Sequence, residues 1–114
     1  LQKVNRKNVQ VNFEILKNTE KLNFSSYQGY VITNYNDLVE KFGLPLYGPN
    51  ADIDGKVTCE WCIEFGDGSV ASIYDWKTGG TPLGEYDWHI GGFTDEVVEH
   101  VQSILHKTVT IKEV

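Results

Sequence analysis

Side chains with chemical capacity collect in two short stretches, YDWK at 74–77 and EYDWHIGG at 85–92. They hold Tyr74, Asp75, Trp76, Glu85, Tyr86, Asp87, Trp88 and His89, followed by the glycine pair Gly91 and Gly92. Carboxylates interleaved with indole and phenol rings suit recognition. The rings give large, stiff contact area and the acids attract a basic partner. The competing reading is core, because tryptophans are mostly buried and alternate residues can all point inward. An acid–base pair drawn from Glu60, Glu64, Asp75, Glu85 and Asp87 has meaning only beside a substrate pocket, and outward acids on hairpin strands often form a solvated face.

Other chemistries find weaker footing. Cys59 and Cys62 have the Cys-x-x-Cys spacing of zinc and redox pairs, but such pairs sit on turns or helix starts where both sulfurs converge. Here they flank Glu60-Trp61 in a segment that reads as extended. Three residues of separation then send the side chains to opposite faces and leave the Cα atoms about 10 Å apart, too far for a disulfide. Two unpaired structural thiols fit a reducing compartment. His89 and His100 are the remaining candidates for nitrogen ligands, and no metal is expected. No serine lies in a strained elbow, and His100 and His106 read as solvent-facing on a helix, so no catalytic residue is assigned. Gly91-Gly92 before a helix has the outline of a phosphate cradle. Asp95 and Glu96 oppose an anion there, each by about 0.7 kcal/mol at about 6 Å even in water.

The elements that must position these residues follow from periodicity. Val9, Val11, Phe13 and Ile15 alternate with polar residues as a half-buried strand, after a polar stretch (1–8) that reads as frayed. Residues 17–28 read as loop, and Gly29–Thr33 as a short strand. Tyr35, Leu38, Val39 and Phe42 fall at helical spacing behind Thr33 or Asn34 as N-cap, and Gly43 and Pro45 stop that helix. Val57 to Phe65 and Val70 to Trp76 flank Gly66-Asp67-Gly68 as a hairpin. A two-residue turn would set Trp61 opposite Tyr74. A three-residue turn ending in left-handed Gly68 is preferred because it gathers Ala71 and Ile73 on the Trp61–Ile63 face, leaving Glu60, Cys62, Glu64, Tyr74 and Trp76 on the other. Tyr86 to Ile90 form a strand that Gly91-Gly92 ends. Thr94 caps a second helix with Val97, Val98, Val101, Ile104 and Leu105 as its apolar stripe, and Val109 and Ile111 close the chain as a strand. The expected fold class is α+β, a small antiparallel sheet with a central hairpin and two helices packed on it.

The chain has 114 residues, one domain's worth, and a net charge of −6 from 16 acidic and 10 basic residues. That balance argues against direct nucleic-acid binding, which needs a basic stripe, and permits a basic or nucleic-acid-binding protein partner. No apolar run approaches the roughly 20 residues of a membrane helix, and the opening residues do not read as a signal peptide.

The segments VEKFG (39–43), EWCIEFGDGSVASIYDWK (60–77) and EYDWHIGG (85–92) resemble an uncharacterised family of small bacteriophage and prophage proteins, over Tyr35 to Leu105. The resemblance brings no functional residues. It implies a phage context and the cytoplasm of an infected host cell, where small acidic proteins often inhibit host enzymes or defence systems. The leading expectation is therefore a non-enzymatic, cofactor-free inhibitor of a host protein, such as an anti-CRISPR or other anti-defence protein. It would bind through Tyr74, Asp75, Trp76, Glu85, Tyr86, Asp87, Trp88, His89, Gly91 and Gly92. The alternative is a protein that sequesters a small ligand such as a nucleotide signal, using Trp88, His89 and Gly91-Gly92.

Overall fold

The computed structural model describes residues 11–113. Among the described residues six strands form one sheet: β1 (Phe13–Ile15), β2 (Ser26–Thr33), β3 (Glu60–Phe65), β4 (Val70–Tyr74), β5 (Tyr86–Gly92) and β6 (Val109–Ile111). Their spatial order is β1-β3-β4-β5-β2-β6, antiparallel throughout. Two helices, α1 (Tyr35–Phe42) and α2 (Glu96–Leu105), pack on one face, which makes the fold α+β as expected.

The β3–β4 hairpin has the three-residue turn. Phe65 N–H donates to Ser69 at 2.8 Å, Gly68 N–H donates to Phe65 at 2.9 Å, and Gly68 adopts φ +89°. Trp61 therefore pairs with Ile73 and Ile63 with Ala71, so all four apolar side chains point toward the helices. Trp88, Ile90 and Val31 extend this layer across the neighbouring strands, and the whole valine, isoleucine and leucine stripe of α2 covers it. Leu38 and Phe42 of α1 complete the core. Asn34 is the N-cap of α1, its side chain accepting the Asp37 N–H at 2.8 Å.

Several boundaries differ from the periodicity reading. The first strand is Phe13–Ile15, and Val9 and the stretch 1–8 lie outside the described residues. Within 17–28, a 3-10 turn forms at Glu20–Leu22 and β2 already begins at Ser26. That strand is irregular: Tyr27 pairs with Gly91 but Gly29 with Ile90, so Gln28 is an extra residue in the ladder. Its buried amide donates to the Gly92 carbonyl at 2.9 Å, which satisfies the bulge. Gly91 and Gly92 do not end β5; they are its last two rungs. The reason is crowding. A Cβ on Gly92 would lie 2.8 Å from Val97 of α2, and one on Gly91 would lie 2.7 Å from Ser72 Oγ, so glycine lets helix and neighbouring strand close in. The second helix starts at Glu96 with Asp95 rather than Thr94 at its N-cap, and no side chain caps it.

Candidate functional site

The face of the sheet away from the helices carries one rung of Glu60, Tyr74, His89 and Tyr30, and a second of Cys62, Ser72, Gly91 and Tyr27. The first rung is large and the second is small until Tyr27, so the sheet surface is hollow above Ser72 and Gly91. The bulge at Gln28 matters here. Tyr27 and Tyr30 are three apart, which in a regular strand would put them on opposite faces; the inserted residue turns both to this face.

Chain segments wall the hollow. The turn around Leu22 and Asn23 closes one side, and the stretch from Tyr47 to Val57 closes another, leaving a cleft of about 520 Å³. An adjoining hollow of about 500 Å³ lies between Tyr27, Tyr74, Trp76 and His89. These sizes are ordinary for small-molecule sites. The rings form a linked wall: Tyr27 and Tyr74 lie 5.3 and 5.5 Å from His89 between centroids, and Tyr74 lies 6.4 Å from Trp76.

Burial displaces Glu60 and His89 in this wall, and raises the phenols of Tyr27, Tyr47 and Tyr74 as well. Glu60 lines the cleft, and desolvation raises its carboxyl above the usual range although the Tyr47 hydroxyl, donating at 2.5 Å, works against that. Desolvation also lowers His89 below the ordinary histidine value. Its Nδ1 is buried without a hydrogen-bond partner. Over the ring of Trp76, which lines both hollows, the ammonium groups of Lys56 and Lys77 stand 5.8 and 5.7 Å from its centroid. The site is thus polarised, with a recessed carboxyl, aromatic walls and a cationic rim.

The strip read from the sequence does not form one surface. Strand β5 alternates, so Asp87 and His89 face the cleft side while Tyr86 and Trp88 face the core. Trp88 is fully buried, with its ring edge-on to Trp61 at 5.7 Å, and cannot touch a partner. Asp75 is also fully buried. Its carboxylate accepts the N–H groups of Thr58 at 2.8 Å and Cys59 at 3.3 Å and the hydroxyls of Thr58 and Thr78, so it ties the preceding loop to β4. Tyr86 spends its hydroxyl on the Trp76 N–H at 3.1 Å. Gly92 lies under Val97 on the helix side, while Gly91 floors the cleft. Glu85 and Asp87 are exposed and line neither hollow. Tyr74, Trp76, His89 and Gly91 are brought together. The binding strip read from the sequence left out Tyr27, Tyr47, Glu60 and Ser72. Glu60 was legible, since the preferred hairpin register already set it beside Tyr74.

The cysteines are free and buried on opposite sides of the sheet, Cys59 among the helix-side residues and Cys62 with Leu22 and Val70. Among the described residues no cluster of three or more His, Cys, Asp or Glu side chains is arranged to hold a metal, and no helix is long and apolar enough to cross a membrane. Compared with protein-family models, curated proteins and solved structures, the chain matches none.

Proposed function

We propose that this chain is a small-ligand binding protein that holds a ring-bearing ligand in the cleft on its open sheet face. The observation that carries the reading is a recessed Glu60 carboxyl beside two adjoining hollows walled by Tyr27, Tyr47, Tyr74 and Trp76. A concave site with aromatic walls and a few convergent polar groups is the usual form of a ligand pocket. Among the described residues lining the cleft, no serine is hydrogen-bonded to a base, and the Cys62 thiol bonded to Glu60 is fully buried, which favours binding over turnover. In the phage setting that the sequence resemblance implies, such a protein would sequester a host metabolite in the cytoplasm of the infected cell. Native mass spectrometry of the chain purified from cells tests this. A retained small mass, lost in Trp76→Ala, is expected; a bare chain whose melting temperature no metabolite shifts would end the proposal.

A second reading, inhibition of a host protein, draws on a different observation. Phe24 is wholly exposed at φ +69°, between the cleft-lining residues Asn23 and Ser25, and Ile53 and Trp76 are 43% and 40% exposed on the same rim. A bulky side chain held out in a costly backbone conformation suits a protein contact. Capture of a partner from host lysate that disappears in Phe24→Ser, with the cleft ligand retained, would favour this reading.

A further inference from the structure

We infer that the cleft selects a guanine nucleotide, with the base between the aromatic walls, its amide and amino N–H edge against Glu60, and its phosphate at Lys56 and Lys77. The inference rests on the cleft being a ligand site and names its ligand.

The polarity of the cleft drives the choice. An aromatic box with a carboxylate would by itself suit an organic cation. Lys56 and Lys77, however, place two positive charges within 5.8 Å of the Trp76 ring, where they oppose a cation and favour an anion. The two residues are held side by side, because the Lys77 N–H donates to the Lys56 carbonyl at 2.7 Å. A matching ligand therefore carries negative charge at one end, a flat ring in the middle and hydrogen-bond donors at the other end. Nucleotides have that order.

The donors narrow the base. An ionised carboxylate only accepts hydrogen bonds, and its two oxygens have about four lone-pair directions between them. Tyr47 occupies one direction on Oε1, and the Cys62 thiol donates to the same carboxylate. The remaining directions suit a base that offers two adjacent N–H donors on one edge. Guanine has such an edge in N1–H and its amino group. Adenine offers an amino group beside a ring acceptor, which would meet a carboxylate lone pair head on. The stacking surfaces tolerate any base, since every base has a π-face. Selectivity therefore rests with Glu60. Ser72 and Gly91 beneath keep the floor low, and an added methyl at Gly91 would fill part of it.

The test is isothermal titration of the intact protein with GMP, AMP, guanosine and inorganic phosphate, repeated for Glu60→Gln and for the pair Lys56→Ala with Lys77→Ala. GMP should bind at least about tenfold more tightly than AMP, the discrimination expected of a two-point contact to a base edge. Glu60→Gln should erase that preference, because its amide presents a donor where guanine needs an acceptor. The lysine pair should weaken GMP about tenfold and leave guanosine within about twofold, as expected for loss of charge-assisted contacts to phosphate alone. Equal binding of GMP and AMP, or an unchanged preference in Glu60→Gln, overturns the inference. If the purified protein retains a Trp76-dependent ligand of another class while binding no GMP, the ligand-site reading stands and this inference falls. If nothing binds, both fall.

Discussion

The hydroxyl of Tyr47 donates to Glu60 Oε1 at 2.5 Å, across an isolated antiparallel bridge between the same two residues. One backbone pairing and one side-chain bond thus fix the loop that walls the cleft to the strand that floors it. They also hold a carboxyl in a desolvated position that would otherwise be costly. Tyr47→Phe should therefore destabilise the fold by about 1–3 kcal/mol, more than a lost surface hydroxyl, because a buried acceptor loses its donor. Double-mutant denaturation with Glu60→Gln measures the coupling. Additive effects would show that the bond contributes nothing in solution.

The two tryptophans of the Asp-Trp pairs should separate cleanly in mutagenesis. Trp88 lies in the core between Trp61 and Tyr86, so Trp88→Ala should cost about 3–5 kcal/mol of stability. Trp76→Ala should leave stability within about 1 kcal/mol, the ring being 40% exposed, while lowering ligand affinity. Urea denaturation of both variants decides. Comparable destabilisation by the two would mean that Trp76 belongs to the core after all.

That separation marks what was legible in the sequence. Alternation through Trp61 and Ile63, the Gly68 turn and the valine stripe of α2 are local signals, and each placed its element and face. The strip over 85–92 was misassigned because consecutive strand residues were grouped by composition, whereas a period of two must divide them. Tyr27 and Tyr47 were missed for a different reason. Tyr27 reaches the cleft only through the Gln28 bulge, and Tyr47 only through a bridge to a strand 13 residues away. Neither arrangement leaves a local pattern. Asp75 shows the reverse case, where a residue typical of a binding rim is consumed by loop N–H and hydroxyl donors.

Gly68 and Gly91 should respond to alanine for different reasons. At Gly68 an added Cβ meets nothing within 4 Å, so the loss is backbone strain at φ +89° alone, about 1–2 kcal/mol. At Gly91 the methyl meets Ser72 Oγ at 2.7 Å, and Ser72→Gly should restore most of the loss. Thermal midpoints of Gly68→Ala, Gly91→Ala and the Gly91→Ala, Ser72→Gly double variant test this. Rescue of Gly68→Ala by Ser72→Gly would contradict the assignment.

Both thiols should be inert in the native protein. Burial pushes Cys59 and Cys62 up to about 12, so the thiolate that reacts with disulfide reagents is scarce near neutrality. Ellman's reagent should titrate neither in buffer and both in denaturant, and chelators should leave the thermal midpoint unchanged. Stoichiometric zinc in the purified protein would overturn the structural assignment.

Glu60 and His89 flank Tyr74 on one rung, and burial moves them in opposite senses, the carboxyl up from 4.5 and the imidazole down from 6.5. For Glu60 the folded state holds its proton more tightly than the unfolded chain. Its contribution to stability is full below 4.5 and is lost as pH rises through the raised value. For His89 the folded state resists protonation. Its contribution is full above 6.5 and is lost as pH falls through the lowered value. Between 4.5 and 6.5 the two trends oppose, so the wild-type urea midpoint should change less with pH than that of the more pH-dependent single variant. Asp67, held down to about 2 by Ser69 and His100, titrates below this interval. Glu60→Gln should leave a midpoint that rises with pH across the interval, and His89→Gln one that falls. Parallel profiles for all three proteins would show that neither group is desolvated in solution, and the polarised cleft would lose its recessed carboxyl.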